Sequence, residues 1–144
     1  MSDSSDTARV LSAEVRQDGP ATGEGRVRTH SLLIDRPVAK GGADRGPMGG
    51  ELLLLALGGC FLSNLLAAIR TREARAEAIQ VVVEAQLDGA PERFTRFTLR
   101  VRGTYDDRAQ MEKLVTIAER GCIVANTLLA CTPVEVVLED MPLG

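Results

Sequence analysis

The chain has 144 residues, 26% of them charged and 44% hydrophobic, with a formal net charge of −3. That is enough for one globular domain with a real core and too little for two. Three Phe, one Tyr, no Trp and a mildly negative balance give neither a clustered basic face nor a base-stacking platform, so nucleic acid is excluded as a partner. The opening MSDSSDTAR has neither the positive start nor the apolar stretch of a secretory signal, so the expectation is a cytoplasmic protein. The chain is expected to form a single domain over 1–144, with residues 1–8 flexible.

RVLSAEV (9–15) and GRVRTHSLLID (25–35) are predicted strands, the second alternating Val27, Thr29, Ser31 and Leu33 against Arg26, Arg28 and His30. QDGPATGEG between them is turn material. RPVAKGGADRGPMGGE (36–51), rich in proline and glycine, is a loop of the kind that carries sites. The run from Glu51 to about Arg72 has no charge from Leu52 to Ile69. It is apolar nearly all round, which predicts a central helix buried on most sides. A bilayer span is the other reading of such a run. Gly58, Gly59, Ser63 and Asn64 interrupt it and no second span follows, so a membrane location is rejected.

IQVVVEAQLD (79–88) and RFTRFTLRVRG (93–103), joined by GAPE, predict a hairpin. In its second strand Thr95, Phe97, Leu99 and Val101 face one way, and Arg96, Thr98, Arg100 and Arg102 the other, so one sheet face is buried and one wet. DDRAQMEKLVTIAER (106–120) starts with acidic residues and sets Met111, Leu114, Val115 and Ala118 at helical spacing, with Gly121 as its stop. CIVANTLLAC (122–131) predicts a short helix, and TPVEVVLED a last strand with Val134, Val136 and Leu138 on one face. The order predicts an α+β fold with antiparallel pairing.

Three cysteines, Cys60, Cys122 and Cys131, with no C-x-x-C and a single histidine, make neither a zinc-ligand set nor the disulfide framework of a small secreted domain. His30 is read as a surface residue. Free cysteine behaves as a small hydrophobe, so inert packing stands beside chemistry for Cys60. Gly58 and Gly59 each cost about 1 kcal/mol inside a helix, which predicts a kink or a close backbone approach beside that sulfur. Cys122 follows Gly121 at the start of a helix, where free N–H groups favour a thiolate and a lowered pKa; a filler role is the alternative. Cys131 is expected in the core. Glu51 precedes Cys60 by nine residues, the opposite side of a straight helix, so it reaches the thiol only across a bend and otherwise serves as a first-turn anion. The glycines of GGADRGPMGGE lack the rest of any phosphate-binding motif.

Taken together, HSLLIDRP, GGADRGPMGGELLLLALGGCF and GCIVANTLLACTPVEVVLE resemble the OsmC/Ohr family of thiol-dependent hydroperoxide reductases, over nearly the whole chain. The resemblance implies antiparallel sheets around a long central buried helix, in an intertwined homodimer with active sites at the subunit interface. It implies that Cys60 is peroxidatic and Cys122 resolving, that the disulfide between them is reduced by an external dithiol, usually lipoyl groups on proteins, and that no cofactor is bound. An organic hydroperoxide is the implied substrate, entering through an apolar mouth near Leu57 and Phe61. Glu51 matches the family's glutamate in the branch that places it one position closer to the cysteine than the best-characterised peroxidases do. The family's arginine comes from an early strand, where Arg16, Arg26 and Arg28 are all candidates. The Cys-Pro of many peroxidase members is missing at Cys122. Two other readings stand beside the peroxidase: a small-molecule-binding protein of the same fold with little peroxidase activity, and an interaction protein whose dimer is its purpose.

Overall fold

Three short strands open the computed structural model, which describes residues 8–139. They are β1 (Glu14–Gln17), β2 (Gly23–Val27) and β3 (His30–Ile34), an antiparallel sheet in the order β1-β2-β3 with Val15 opposite Gly25 and Gly25 opposite Leu32. The segment expected as one strand over 25–35 is thus part of a hairpin that turns at Arg28 and Thr29. Arg28 takes the left-handed φ of +54° there, a turn with none of the Gly or Asn residues that usually announce one. The strand expected over 9–15 starts only at Glu14. Of the residues expected to be flexible, 1–7 lie outside the described residues.

The loop that follows is organised by Asp35, which is only 3% exposed. Its carboxylate accepts the Thr22 hydroxyl (2.9 Å) and the backbone N–H groups of Arg36 (2.7 Å), Ala43 (3.3 Å) and Arg45 (3.2 Å). Burial acts to raise the Asp35 pKa, but the four donors together outweigh it and hold the carboxyl below its ordinary range. The loop closes so tightly that a side chain at Gly42 would collide with the Arg36 carbonyl.

Helix α1 (Gly49–Thr71) begins where the loop ends, and the Glu51 carboxylate accepts the Met48 N–H at 2.8 Å. By contact the chain divides between Leu52 and Leu53 into two compact units, so α1 has its first turn in one and the remainder in the other.

The second unit contains β4 (Ala76–Asp88), β5 (Arg93–Tyr105), α2 (Arg108–Gly121), α3 (Ile123–Leu129) and β6 (Val134–Leu138), with the sheet order β4-β5-β6. The β4–β5 hairpin is antiparallel as expected. The β5–β6 pair is parallel, Leu99 lying opposite Val136, a departure from the expected antiparallel pairing. The α2–α3 segment supplies the long crossover that parallel strands require. Asp107 caps α2, its carboxylate accepting the Gln110 N–H at 3.0 Å.

Phe97, Leu99 and Val101 of β5 are at most 1% exposed and pack with Leu57, Phe61 and Leu65 of α1 and with Met111, Leu114 and Ala118 of α2. The opposite face of the sheet is wet, with Arg100 bonded to Glu84 at 2.6 Å and Arg96 to Glu135 at 3.3 Å. Although α1 is long and apolar enough to cross a bilayer, it is the core helix of this unit. It is buried along one side rather than most sides: Leu55 is 64% and Leu66 39% exposed. Helix α1 is continuous through its glycines, and the reason for Gly58 is close approach, since a Cβ there would stand 2.8 Å from Val83 Cγ2.

Candidate active site

Two thiols from elements far apart in sequence meet in the second unit. Cys60 is half-buried on α1, three residues past Leu57, the first fully buried residue of that helix, and Cys122 is buried at the junction of α2 and α3. Neither is in a disulfide. They are neighbours close enough for Cys60 to act on the titration of Cys122.

The junction is built by ending one helix and starting another at the same residue. Cys122 leaves helical conformation at φ −80°, ψ 107°, its N–H donates to the Glu119 carbonyl at 3.2 Å, and its Sγ accepts the Ala125 N–H at 3.4 Å as the N-cap of α3. Two asparagines satisfy neighbouring carbonyls at the end of α2. Asn126 Nδ2 donates to Arg120 at 3.1 Å, and Asn64 Nδ2, reaching across from α1, donates to Ala118 at 3.4 Å. The end of α2 that leads into Cys122 is therefore tied both to α3 and to α1.

Burial pushes the Cys122 thiol up, the N–H groups of Ala125 and Val124 offset this in part, and the neighbouring Cys60 adds to the rise. This reverses the lowered value expected from the helix start, because desolvation outweighs the few donors that a seven-residue helix offers.

Glu51 sits in the first turn of α1, its carboxylate on the Met48 N–H. Arg16 pairs with Glu14 at 3.0 Å, Arg26 pairs with Glu24 at 3.1 Å, and Arg28 occupies the hairpin turn, all three exposed on the first sheet. His30 is exposed, as expected. Cys131 is also exposed, against the expectation of a core position, because α3 ends at Leu129 and leaves it in the following turn. Leu57 and Phe61, expected at a site mouth, have no exposure at all and belong to the core. Asn64 and Asn126 were not singled out from the sequence as site residues. The available signal was an amide one turn after Cys60 in an otherwise apolar helix.

The order of elements, the α+β fold and the meeting of Cys60 with Cys122 define a class. The chain belongs to the OsmC-like protein family, whose model matches residues 41–137. Among solved structures it is similar to a hypothetical protein of Aquifex aeolicus VF5, with a TM-score of 0.79 and 15% identity, covering 92% of this chain and 96% of that one. It is also similar to an organic hydroperoxide resistance protein OsmC of Legionella pneumophila, with a TM-score of 0.68, 19% identity and coverage of 93% and 99%. The organic hydroperoxide resistance protein OhrB of Bacillus subtilis follows at 0.64 and 20%, with coverage of 91% and 98%. At these identities the likeness is one of fold. No curated protein matches the sequence significantly.

Proposed function

We propose that the chain is a thiol-dependent peroxidase that reduces organic hydroperoxides, acting as a single OsmC-like domain. The observation that carries this reading is the pairing of two free thiols, one half-buried and one buried, on separate elements. The Cys60 thiolate attacks the hydroperoxide, ROOH, at the oxygen distal to R. The O–O bond breaks, ROH leaves with a proton, and Cys60 becomes a sulfenic acid. The Cys122 sulfur then attacks the Cys60 sulfur, and the hydroxyl departs as water with the Cys122 proton. The net change is ROOH plus two thiols to ROH, water and one disulfide. An external dithiol, a lipoyl group on a partner protein in this reading, restores both thiols. The organic-hydroperoxide names of the Legionella and Bacillus relatives support the substrate class. Glu51 and one of Arg16, Arg26 or Arg28 would assist, and the location would be the cytoplasm.

The active form in this reading is a homodimer. Leu55, Gly59, Leu62 and Leu66 fall on one side of α1 at helical spacing, with Leu55 and Leu66 exposed and open space beside Gly59, an apolar stripe that a second copy would cover. Leu66→Asp is expected to yield monomer in sedimentation equilibrium where the parent sediments as a dimer.

The test of the reaction is the intact mass of reduced protein carrying Cys131→Ser, before and after one equivalent of cumene hydroperoxide. Loss of two hydrogens, abolished by Cys60→Ser, is the expected result. Two thiols that stay free would sink the peroxidase and leave a small-molecule-binding protein of this fold, in which burial raises the Cys122 pKa without a redox role.

A further inference from the structure

A side chain that neither thiol requires for its own chemistry links the two elements that carry them. Asn64 lies four residues after Cys60 on α1, so both project from the same side of that helix one turn apart. Its Nδ2 donates to the Ala118 carbonyl at 3.4 Å. That carbonyl is one of the last four of α2, which have no obligatory helical partner, and the N–H that an unbroken helix would aim at it, that of Cys122, goes to Glu119 instead. The Glu119 and Arg120 carbonyls at this end are satisfied locally, by the Cys122 N–H and by Asn126 of α3. Only Asn64, among these donors, comes from the helix that holds Cys60. A Cβ on Gly121 would come 3.4 Å from the same Nδ2, so the amide is also packed against the residue that precedes Cys122.

We propose that Asn64 is a positioning residue: it ties the end of α2 to α1 so that the Cys122 sulfur faces the Cys60 sulfur, and so sets the rate and equilibrium of disulfide formation between them. This rests on the two-cysteine reading for its biological purpose, while the geometry is independent of any peroxide. A disulfide requires the two Cα atoms within about 7 Å and a defined dihedral, so drift of the junction reduces the effective concentration of one thiol at the other. A misplacement of about 1 Å costs up to about a hundredfold in comparable reactions. The single bond in question is a neutral one and a small part of the fold's stability, so its loss leaves the fold intact.

The experiment uses the full chain with Cys131→Ser, alone and with Asn64→Ala, Gly121→Ala or Val101→Ala. Each is equilibrated with glutathione buffers, where the reduced pair and one glutathione disulfide give the protein disulfide and two glutathione thiols, and the oxidised fraction is read by mass. Asn64→Ala is expected to lower the effective concentration of the pair by about tenfold, and Gly121→Ala, which pushes the amide from the other side, to lower it less. Val101→Ala, a core cavity on β5 that costs more stability, is expected to stay within about twofold of the parent. Asn64→Ala and Gly121→Ala both at the parent value would overturn the proposal, as would an equal fall in Val101→Ala, which would make the effect one of general loosening. With cumene hydroperoxide, Asn64→Ala is expected to form the Cys60 sulfenic acid, trapped by dimedone, at the parent rate and to close the disulfide slowly. If the parent itself gives no oxidation with hydroperoxide while the glutathione equilibrium still separates Asn64→Ala from it, the peroxidase reading fails and the positioning role stands.

Discussion

Between Glu14 and Gln17, Gly23 and Val27, and His30 and Ile34, three strands bury no apolar side chain fully, and Val15, Val27 and Leu32 are 64%, 44% and 46% exposed. The buried side chains of that unit are polar, Thr22 and Asp35. In the second unit β5 alone puts Phe97, Leu99 and Val101 into a continuous core with α1 and α2. One unit is thus organised by a carboxylate that gathers four donors, the other by removal of apolar surface from water. Each centre is vulnerable in its own way. A hydrogen-bonded centre fails by protonation, while a packed core fails by loss of volume.

The largest effect is expected from Leu99→Ala, which removes a side chain with no exposure and leaves a cavity at the centre of the second unit. A loss of about 2–5 kcal/mol in denaturant unfolding is expected, and a loss below about 1 kcal/mol would break the contrast. Gly58→Ala, whose Cβ would press to 2.8 Å on Val83, is expected to cost about 1–3 kcal/mol. Gly59→Ala beside it meets open space and is expected to gain up to about 1 kcal/mol in the single chain. A loss at Gly59 instead would show that its side of α1 is covered, as a dimer requires.

The first unit is tested by acid. The Asp35 pKa is lowered in the fold, so its contribution is present above the ordinary carboxylate range and is lost as pH falls through and below that range. Hydrogen exchange should show the amides of Arg36, Ala43 and Arg45 losing protection over that fall while the β5 amides keep theirs. Asp35→Asn should remove this pH dependence, and equal loss in both units would contradict the separation. The smallest effect concerns thiols at fixed stability. Maleimide at neutral pH should label the exposed Cys131 first and the buried Cys122 last. Cys122 labelling should accelerate only above the ordinary thiol range, since its pKa is raised.

Much of the second unit is legible in the chain because its signals are local and periodic. The alternation of Phe97, Leu99 and Val101 with Arg96, Arg100 and Arg102, and the spacing of Met111, Leu114, Val115 and Ala118, each state a period and a buried face. The first unit is harder to read because the hairpin at Arg28 and Thr29 has no turn residues, and because a single buried carboxylate has no periodicity. The site was legible as two cysteines but not as a constellation. Gly121 marks Cys122 in the sequence, whereas the exposure of Cys131 is decided only by the end of α3 at Leu129.

Residue type and spacing within single elements dictate the α+β class, the helix with its thiol at Cys60, the hairpin and the helix stop before Cys122. The tertiary structure decided the parallel pairing of β6, the direction of the Cys122 pKa, the reason for Gly58, and the reach of Asn64 to Ala118. Each of these depends on what a residue meets from an element distant in the chain, and neither desolvation nor a contact across elements is written in local periodicity.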